Sequence, residues 1–287
     1  MKLPFYHVDV FTSQRFGGNP LAVFLDADDL DGETMQKIAR EMNLSESTFV
    51  MKPADDRATQ RVRIFTPGHE LPFAGHPTIG TSFVLQRTGR GGDELALEME
   101  AGIIPVRREG DVLWMTPPAP EALSPAVDRA AVAQALGLPV ASVVMPPQVF
   151  GGRGPAFLCV LLDTEQNVDW VMLDRRDLVA ATGESVGEGD VLIFSYQGGK
   201  AYSRMYAALA HNVGEDPATG SSVGPLCAAL AWWRLLDQSR TELTVDQGVA
   251  MGRPSRLLAR FVVEGTYVQQ LTVGGSCVYL YESTLEI

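Results

Sequence analysis

The sequence has few cysteines and no long apolar segment. Its 287 residues include only Cys159, Cys227 and Cys277, which lie far apart. Three distant cysteines argue against a disulfide framework or a zinc site and favour a reducing compartment. No stretch approaches the roughly 18 apolar residues of a membrane span, and the first residues lack the apolar core of a signal peptide. We therefore expect a cytoplasmic protein.

Basic charge is also scarce. Lys and Arg total 23 against 35 Asp and Glu, which gives a formal net charge of −12. The densest basic run, at 57–63, holds three arginines and leads directly into an apolar stretch. Phosphate backbones and anionic lipids repel such a chain unless it carries a basic patch. We therefore expect neither nucleic acid nor a membrane surface as a partner.

Cofactor and metal motifs are missing as well. The chain contains neither Gly-x-Gly-x-x-Gly nor a Walker sequence, so a nucleotide cofactor has no support. His7, His69 and His211 have no partners at metal-ligand spacing, and we assign them no role. We expect chemistry by side chains alone, with no cofactor and no metal.

What the chain does contain is enough apolar material for a sizeable core. Hydrophobic residues make up 46% of it, and 287 residues suit one large domain or two ordinary ones. The cluster Pro117-Pro118-Ala119-Pro120 can form neither a helix nor a strand ladder and suits an extended linker. We place two domains at 1–118 and 119–287, with the last strand able to return to the first domain.

The first half predicts strands around two helices. Asp31 has the pattern of an N-cap for a helix that ends at Asn43. The following segment, 44–50, is predicted to be a strand with Glu46 near its start, and 61–65 is predicted to be another strand. A loop at 71–77 then leads into a helix with Pro77 in its first turn. Because that helix has no charged side, we expect it in the interior.

The second half repeats this organisation. A turn-rich loop at 215–222 opens a helix that we predict over 223–236, capped by Ser221 or Ser222. Its run 226–232 carries no charge, so we expect this helix to be buried too. Two halves, each with strands around a buried helix that follows a Gly-containing loop, indicate a duplicated architecture.

The two loop-helix junctions predict anion sites, because helix N-termini offer free N–H groups and a positive dipole end. His76 and Asp216 lie at these junctions, and Glu46 can reach the same cleft if the halves face one another. A carboxylate in a dry cleft has a raised pKa and can carry a proton. Each residue also has a simpler interpretation: Glu46 as a surface turn residue, His76 as a helix cap, Asp216 as a turn initiator and Ser221 as an N-cap.

Several segments together resemble the PhzF-like family of phenazine biosynthesis, within the diaminopimelate-epimerase-like superfamily. They are Val-Asp-Val-Phe-Thr at 8–12, Gly-Asn-Pro-Leu-Ala-Val at 18–23, Asn-Leu-Ser-Glu-Ser-Thr-Phe at 43–49, Arg-Ile-Phe-Thr-Pro at 63–67, Glu-Leu-Pro-Phe-Ala-Gly-His-Pro-Thr at 70–78 and Glu-Asp-Pro-Ala-Thr-Gly-Ser at 215–221. Their order and spacing over most of the chain make the match specific.

The resemblance implies an α+β fold of two similar domains, each a curved, mostly antiparallel sheet or barrel around a central helix, with the active site in the cleft between them. It also implies a homodimer that isomerises trans-2,3-dihydro-3-hydroxyanthranilate without cofactor or metal. Glu46 would take a proton from the ring carbon that bears the hydroxyl and return it to another carbon.

By the same resemblance, His76 and Asp216 would hold and polarise the substrate, while Gly75, Gly220 and Ser221 would bind its carboxylate. Related epimerases and racemases use two cysteines at the helix-feeding loops, and this chain has none there. Two alternatives stay open: a cysteine-independent epimerase or racemase of an amino-acid-like substrate that uses Glu46, His76 or Asp216, and a non-catalytic protein that binds a small carboxylate.

Overall fold

The computed structural model describes residues 2–123, 127–151 and 155–287. Hydrogen bonding connects all strands of the described residues into one large sheet of mostly antiparallel pairs. The strands up to the proline cluster and just beyond it are β1 (Lys2–Val10), β2 (Asn19–Phe24), β3 (Glu46–Met51), β4 (Gln60–Phe65), β5 (Glu70–Leu71), β6 (Glu94–Met99), β7 (Gly102–Glu109), β8 (Val112–Met115) and β9 (Glu121–Ala122).

The later strands complete the sheet, and the helices lie between strands. These strands are β10 (Gln148–Gly151), β11 (Phe157–Leu162), β12 (Asp190–Gln197), β13 (Lys200–Tyr206), β14 (Glu215–Asp216), β15 (Glu242–Gln247), β16 (Ser255–Glu264), β17 (Tyr267–Gly275) and β18 (Cys277–Glu286). The α-helices are α1 (Gly32–Met42), α2 (Gly75–Arg87), α3 (Arg129–Ala135), α4 (Glu165–Trp170), α5 (Arg175–Thr182), α6 (Glu184–Gly187) and α7 (Val223–Trp232). Short 3₁₀ turns cover Val140–Ser142, Leu209–His211 and Gly220–Ser222.

The strand pairing is duplicated. In the first repeat, residues 19–115, β2 pairs parallel with β3, β3 and β5 pair antiparallel with β4, and β6 pairs parallel with β4 before the antiparallel run β6–β7–β8. In the second repeat, residues 157–275, β11 to β17 show the same sequence of parallel and antiparallel pairs. The duplicated architecture expected from the sequence is therefore present at the level of hydrogen bonding.

The duplication extends to side chains. An ion pair joins Arg63 on β4 to Glu70 on β5, with an Nη2 to Oε2 distance of 2.6 Å. The corresponding strands β13 and β14 carry Arg204 and Glu215, with an Nε to Oε1 distance of 2.8 Å. Both guanidinium groups contact both carboxylate oxygens of their partners, a bidentate geometry that fixes the strand-to-loop corner before each buried helix.

Helix α1 confirms its sequence-based prediction. Asp31 accepts a hydrogen bond from the Thr34 N–H at 2.7 Å, as an N-cap does. Asn43 ends the helix in the left-handed conformation, with φ of 51°. Met35, Ile38 and Ala39 face the sheet and are buried, while the opposite side is exposed. The amphipathic pattern thus places α1 on the outer surface of the first repeat, next to β3.

Helices α2 and α7 are the buried helices of the two repeats. All but three residues of α2 and all but the last residue of α7 are buried. α2 lies against β1, β2, β3 and β8, and α7 lies against β10, β11, β16 and β17. The burial of both helices, which we predicted because their sequences lack a charged side, is therefore confirmed.

Two details of the α7 prediction are wrong. The helix ends at Trp232 rather than at residue 236, because Arg234 adopts the left-handed conformation with φ of 58° and Leu235 donates back to the Leu230 carbonyl. No side chain caps the helix either. The hydroxyl of Ser222 donates to the Thr219 carbonyl at 2.8 Å instead of accepting from the first turn.

Further strand pairs link the two repeats directly or through the terminal strands β1 and β18. The last strand, β18, pairs antiparallel with β1, and β17 of the second repeat pairs with β8 of the first. One apolar core cluster contains residues from both repeats, so the interior is continuous. The division at 118/119 stays a prediction. No helix of the described residues is long and apolar enough to cross a membrane.

Candidate active site

A cleft lies between the two repeats and is lined by polar and apolar side chains from both. Its described lining comes from the first repeat through β3 and the start of α2, and from the second through β11, β12, β13, β14 and the turn before α7. The six residues singled out from the sequence all line it: Glu46, Gly75, His76, Asp216, Gly220 and Ser221. The fold thus brings together groups that are up to 175 positions apart in sequence.

Glu46 is the first residue of β3 and its side chain is 13% exposed. Its Oε2 atom is buried and has no hydrogen-bond partner among the described residues. Burial, followed by the negative charges of Asp216 and Asp190, raises the pKa of the Glu46 carboxyl well above its ordinary value. A carboxyl group with these properties binds a proton strongly and has an oxygen available for a ligand.

His76 is fixed in one protonation state. Burial lowers the pKa of His76 to about 4, although the charge of Asp216 acts in the opposite direction. The Nδ1 atom lies 3.0 Å from the Asn19 amide nitrogen and 3.5 Å from Glu46 Oε2. Nε2 is buried without a partner in the described part of the chain, so this atom is available to a ligand.

Asn19 connects the two repeats at the base of the cleft. From the start of β2, its Nδ2 atom donates to Asp216 Oδ1 at 2.8 Å and to the Ala218 carbonyl at 3.0 Å. These two acceptors define the orientation of the amide. Asp216 is held further by the hydroxyl of Thr219, which donates to Oδ2 at 2.5 Å. Asp216 thus has a partner on each oxygen, and its side chain is held in one position in the cleft.

The N-termini of the two buried helices meet in the same cleft. The backbone N–H groups of Gly75, His76, Gly220 and Ser221 have no acceptor among the described residues. A Cβ atom on Gly75 would lie 2.4 Å from the Ser221 nitrogen, so only glycine allows the two backbones this close approach. Four free donors at two positive dipole ends are the kind of arrangement that can bind an anion.

Asp190 is a lining residue that the sequence analysis missed. It is the first residue of β12, is 6% exposed, and accepts from the Ala208 N–H at 2.7 Å through Oδ1. Burial and the charge of Asp216 raise the pKa of Asp190 to about 6, while the Ala208 hydrogen bond and the charge of Arg175 act against this rise. In the sequence around Asp190, the only local feature is that an acidic residue precedes an apolar strand. An acidic residue in that position is usually exposed at the start of the strand.

Other residues also depart from what the sequence indicated. His211, to which we assigned no role, lines the cleft, and its ring contacts that of His69 across the repeats at a centroid distance of 5.1 Å. None of the three cysteines is among the described lining residues. Within the ranges that the structure describes, no group of three or more His, Cys, Asp or Glu side chains could hold a metal ion.

Residues 8–283 match the family described as phenazine biosynthesis-like protein. The chain belongs to the phenazine biosynthesis-like family. The match covers both repeats and every cleft residue named above, and it confirms the family resemblance and the fold class inferred from the sequence.

Relatives within the family and beyond it agree with this assignment. The trans-2,3-dihydro-3-hydroxyanthranilate isomerase of Pseudomonas aeruginosa is 39% identical over 94% of each chain. The crystal structure of a phenazine biosynthesis protein of the PhzF family from Bacillus anthracis superposes with a TM-score of 0.85, at 25% identity over 100% of each chain. A hydroxyproline epimerase from Agrobacterium vitis shares the fold alone, with a TM-score of 0.65 and 13% identity over 99% of this chain and 92% of the other.

Proposed function

We propose that this protein is a cofactor-independent isomerase that moves a proton on a small carboxylated substrate, with Glu46 as the proton carrier. The observation that carries the proposal is the buried, unpartnered Oε2 of Glu46 in a cleft that also holds a carboxylate-binding set of N–H groups. The P. aeruginosa relative supports a dihydroaromatic amino acid such as trans-2,3-dihydro-3-hydroxyanthranilate as the substrate.

The proposed reaction begins with the substrate carboxylate on the N–H groups of Gly75, His76, Gly220 and Ser221. Ionised Glu46 takes the proton from the ring carbon that bears the hydroxyl group, and the electron pair of that C–H bond moves into the conjugated system. Glu46 then returns the proton to another carbon of this system, so the atoms of substrate and product are the same. The burial that raises the pKa of Glu46 makes its ionised form a stronger base.

His76 and Asp216 have supporting roles in this scheme. Neutral His76 donates from Nε2 to a substrate oxygen on which negative charge develops, since that atom has no other partner in the described part of the protein. Asp216, held by Asn19 and Thr219, stabilises the arrangement and opposes ionisation of Glu46. Exclusion of water by the bound ligand raises the proton affinity of Glu46 further, so that Glu46 holds the transferred proton between the two steps.

The decisive experiment is the incubation of trans-2,3-dihydro-3-hydroxyanthranilate with the protein in heavy water. We expect deuterium on a ring carbon of the product and a loss of at least about 100-fold in rate for Glu46→Gln, because a general acid-base group contributes about 10²- to 10⁴-fold. Glu41→Gln, on the exposed side of α1, is the matched control and should keep full activity. A fully active, folded Glu46→Gln variant contradicts the proposal.

Incubation of a panel of amino and imino acids in heavy water separates the alternatives. An epimerase or racemase would place deuterium on the carbon next to the carboxylate of an amino acid and remove its optical activity. A non-catalytic binding protein would bind the carboxylate and exchange no carbon-bound hydrogen.

We also propose that the protein is a cytoplasmic homodimer. The three free cysteines suit a reducing compartment, and the family resemblance implies two copies. Light scattering during size-exclusion chromatography tests the dimer, which would give twice the chain mass of 31.1 kDa. Fractionation of cells that make the protein tests the compartment.

A further inference from the structure

The duplication gives Asp190 a position equivalent to that of Glu46. In the first repeat, the parallel pairing of β2 with β3 starts at Leu21 and Glu46. In the second repeat, the parallel pairing of β11 with β12 starts at Phe157 and Asp190. Each acidic residue is therefore the first residue of the corresponding strand in its repeat, Glu46 of β3 and Asp190 of β12, and both line the cleft.

Asp190 has one oxygen that the protein does not use. Oδ1 accepts from the Ala208 N–H, whereas no partner of Oδ2 exists among the described residues. The side chain is more than nine-tenths buried and lines the cleft. Arg175 lies nearby, but its guanidinium is occupied by four backbone carbonyls, those of Gly187, Gly189, Tyr206 and Ala207. Oδ2 is therefore available to accept a hydrogen bond from a ligand in the cleft.

The charges of the cleft indicate which donor this is. The described lining contains the carboxylates Glu46, Asp190 and Asp216 but no lysine or arginine. A ligand with only a carboxylate would add negative charge to this set. A ligand that also carries an ammonium group would supply the missing positive charge and the missing donor at once.

We propose that Asp190 binds the ammonium group of the substrate and restricts the site to cyclic β-amino acids, in which the carboxylate and the ammonium group lie on neighbouring ring carbons. This inference rests on the proposed function for the position of the carboxylate, which lies on the two helix N-termini. Asp190 then determines specificity, while Glu46, its counterpart in the first repeat, carries the proton.

The test uses two saturated probes that the protein cannot turn over. They are 2-aminocyclohexanecarboxylate, in its cis and trans forms, and cyclohexanecarboxylate, which lacks only the amino group. Calorimetry gives the affinity of each probe for the unsubstituted protein, for Asp190→Asn and for Asp246→Asn. The amide introduced by Asp190→Asn keeps an oxygen for the Ala208 N–H, so this variant should fold. Asp246 lies on β15, pairs with Lys200 and Arg256 and is outside the cleft lining, which makes it the matched control.

We expect one amino form to bind the unsubstituted protein at least about 10-fold more tightly than cyclohexanecarboxylate, as a hydrogen bond to a charged group provides. Asp190→Asn should bind both probes equally, and Asp246→Asn should keep the preference. The inference is overturned if the unsubstituted protein shows no preference or if Asp190→Asn retains it. Because neither probe reacts, this outcome is independent of whether Glu46 transfers a proton.

Discussion

The conversion of Asp190 to asparagine should stabilise the fold at neutral and alkaline pH. Asp190 is ionised there, although it is buried beside Asp216 and Glu46. Its pKa rises from an ordinary value of 3.8 to about 6 in the folded protein. A tenfold change in proton affinity corresponds to about 1.4 kcal/mol, so ionised Asp190 costs the fold up to about 3 kcal/mol.

The sign of the pH dependence follows from proton binding. Between pH 3.8 and about 6 the folded protein holds the Asp190 proton more tightly than the unfolded chain does. The contribution of Asp190 to stability is therefore largest below this window, falls as the pH rises through it, and is constant above it. Asparagine has no such proton. The free energy of unfolding of Asp190→Asn should equal that of the unsubstituted protein near pH 4 and exceed it by up to about 3 kcal/mol at pH 8.

Urea unfolding at about pH 5, 6.5 and 8, followed by tryptophan fluorescence, measures this difference. The chain contains four tryptophans for the signal. Asp246→Asn is again a useful control, because the change in stability expected for it at pH 8 has the opposite sign. Burial raises the pKa of Asp246, but its contacts with Arg256 and Lys200 hold it below the ordinary value, so the loss of this carboxylate should destabilise the protein at pH 8. The reasoning is refuted if Asp190→Asn is less stable at pH 8, or if its advantage does not grow with pH.

Two further predictions concern the other residues of the cleft. Gly75→Ala should abolish carboxylate binding, because the new Cβ would lie 2.4 Å from the Ser221 nitrogen and separate the two helix N-termini. The control Gly92→Ala, where no atom lies within 4 Å of the new Cβ, should bind cyclohexanecarboxylate normally in the same calorimetric titration. His76→Asn should be less stable than the unsubstituted protein at pH 7, and this difference in the free energy of unfolding should shrink by up to about 3 kcal/mol as the pH falls to 4. Buried His76 has a pKa of about 4 against an ordinary 6.5. Below pH 6.5 the unfolded chain therefore binds a proton that the folded protein does not, and the unsubstituted protein loses stability. A deficit that is constant with pH in urea titrations would contradict the assignment of a neutral His76.

Local signals account for the parts of the fold that the sequence predicted. Asp31 and Asn43 define α1 because a cap and a left-handed terminus depend on a few neighbouring residues. The uncharged sides of α2 and α7 similarly indicate burial without any knowledge of the partners. The end of α7 was missed because Leu235 and Leu236 continue the apolar spacing, whereas Arg234 turns the chain in a conformation that its residue type does not indicate.

The parts of the site that were missed depend on contacts between distant segments. Asn19 stands in a recognisable motif, yet its function as the link to Asp216 requires that β2 and β14 approach each other across 197 positions. Asp190 has no distinctive neighbours and becomes visible only when the strand pairs of the two repeats are compared. The equivalence of Glu46 and Asp190 is a property of topology rather than of local sequence.

The repeated Arg–Glu corners show how similar the two halves have remained, and the cleft between them shows where they differ. At the position after each corner glutamate, the first repeat has Leu71 and the second has Asp216. At the second position of each helix-opening turn, they have His76 and Ser221. An assembly of two identical halves would repeat every substitution on both sides and would bind a ligand equally well in two opposite orientations. Since both halves belong to one polypeptide, each can change alone, and the two sides of the cleft offer different groups to a ligand.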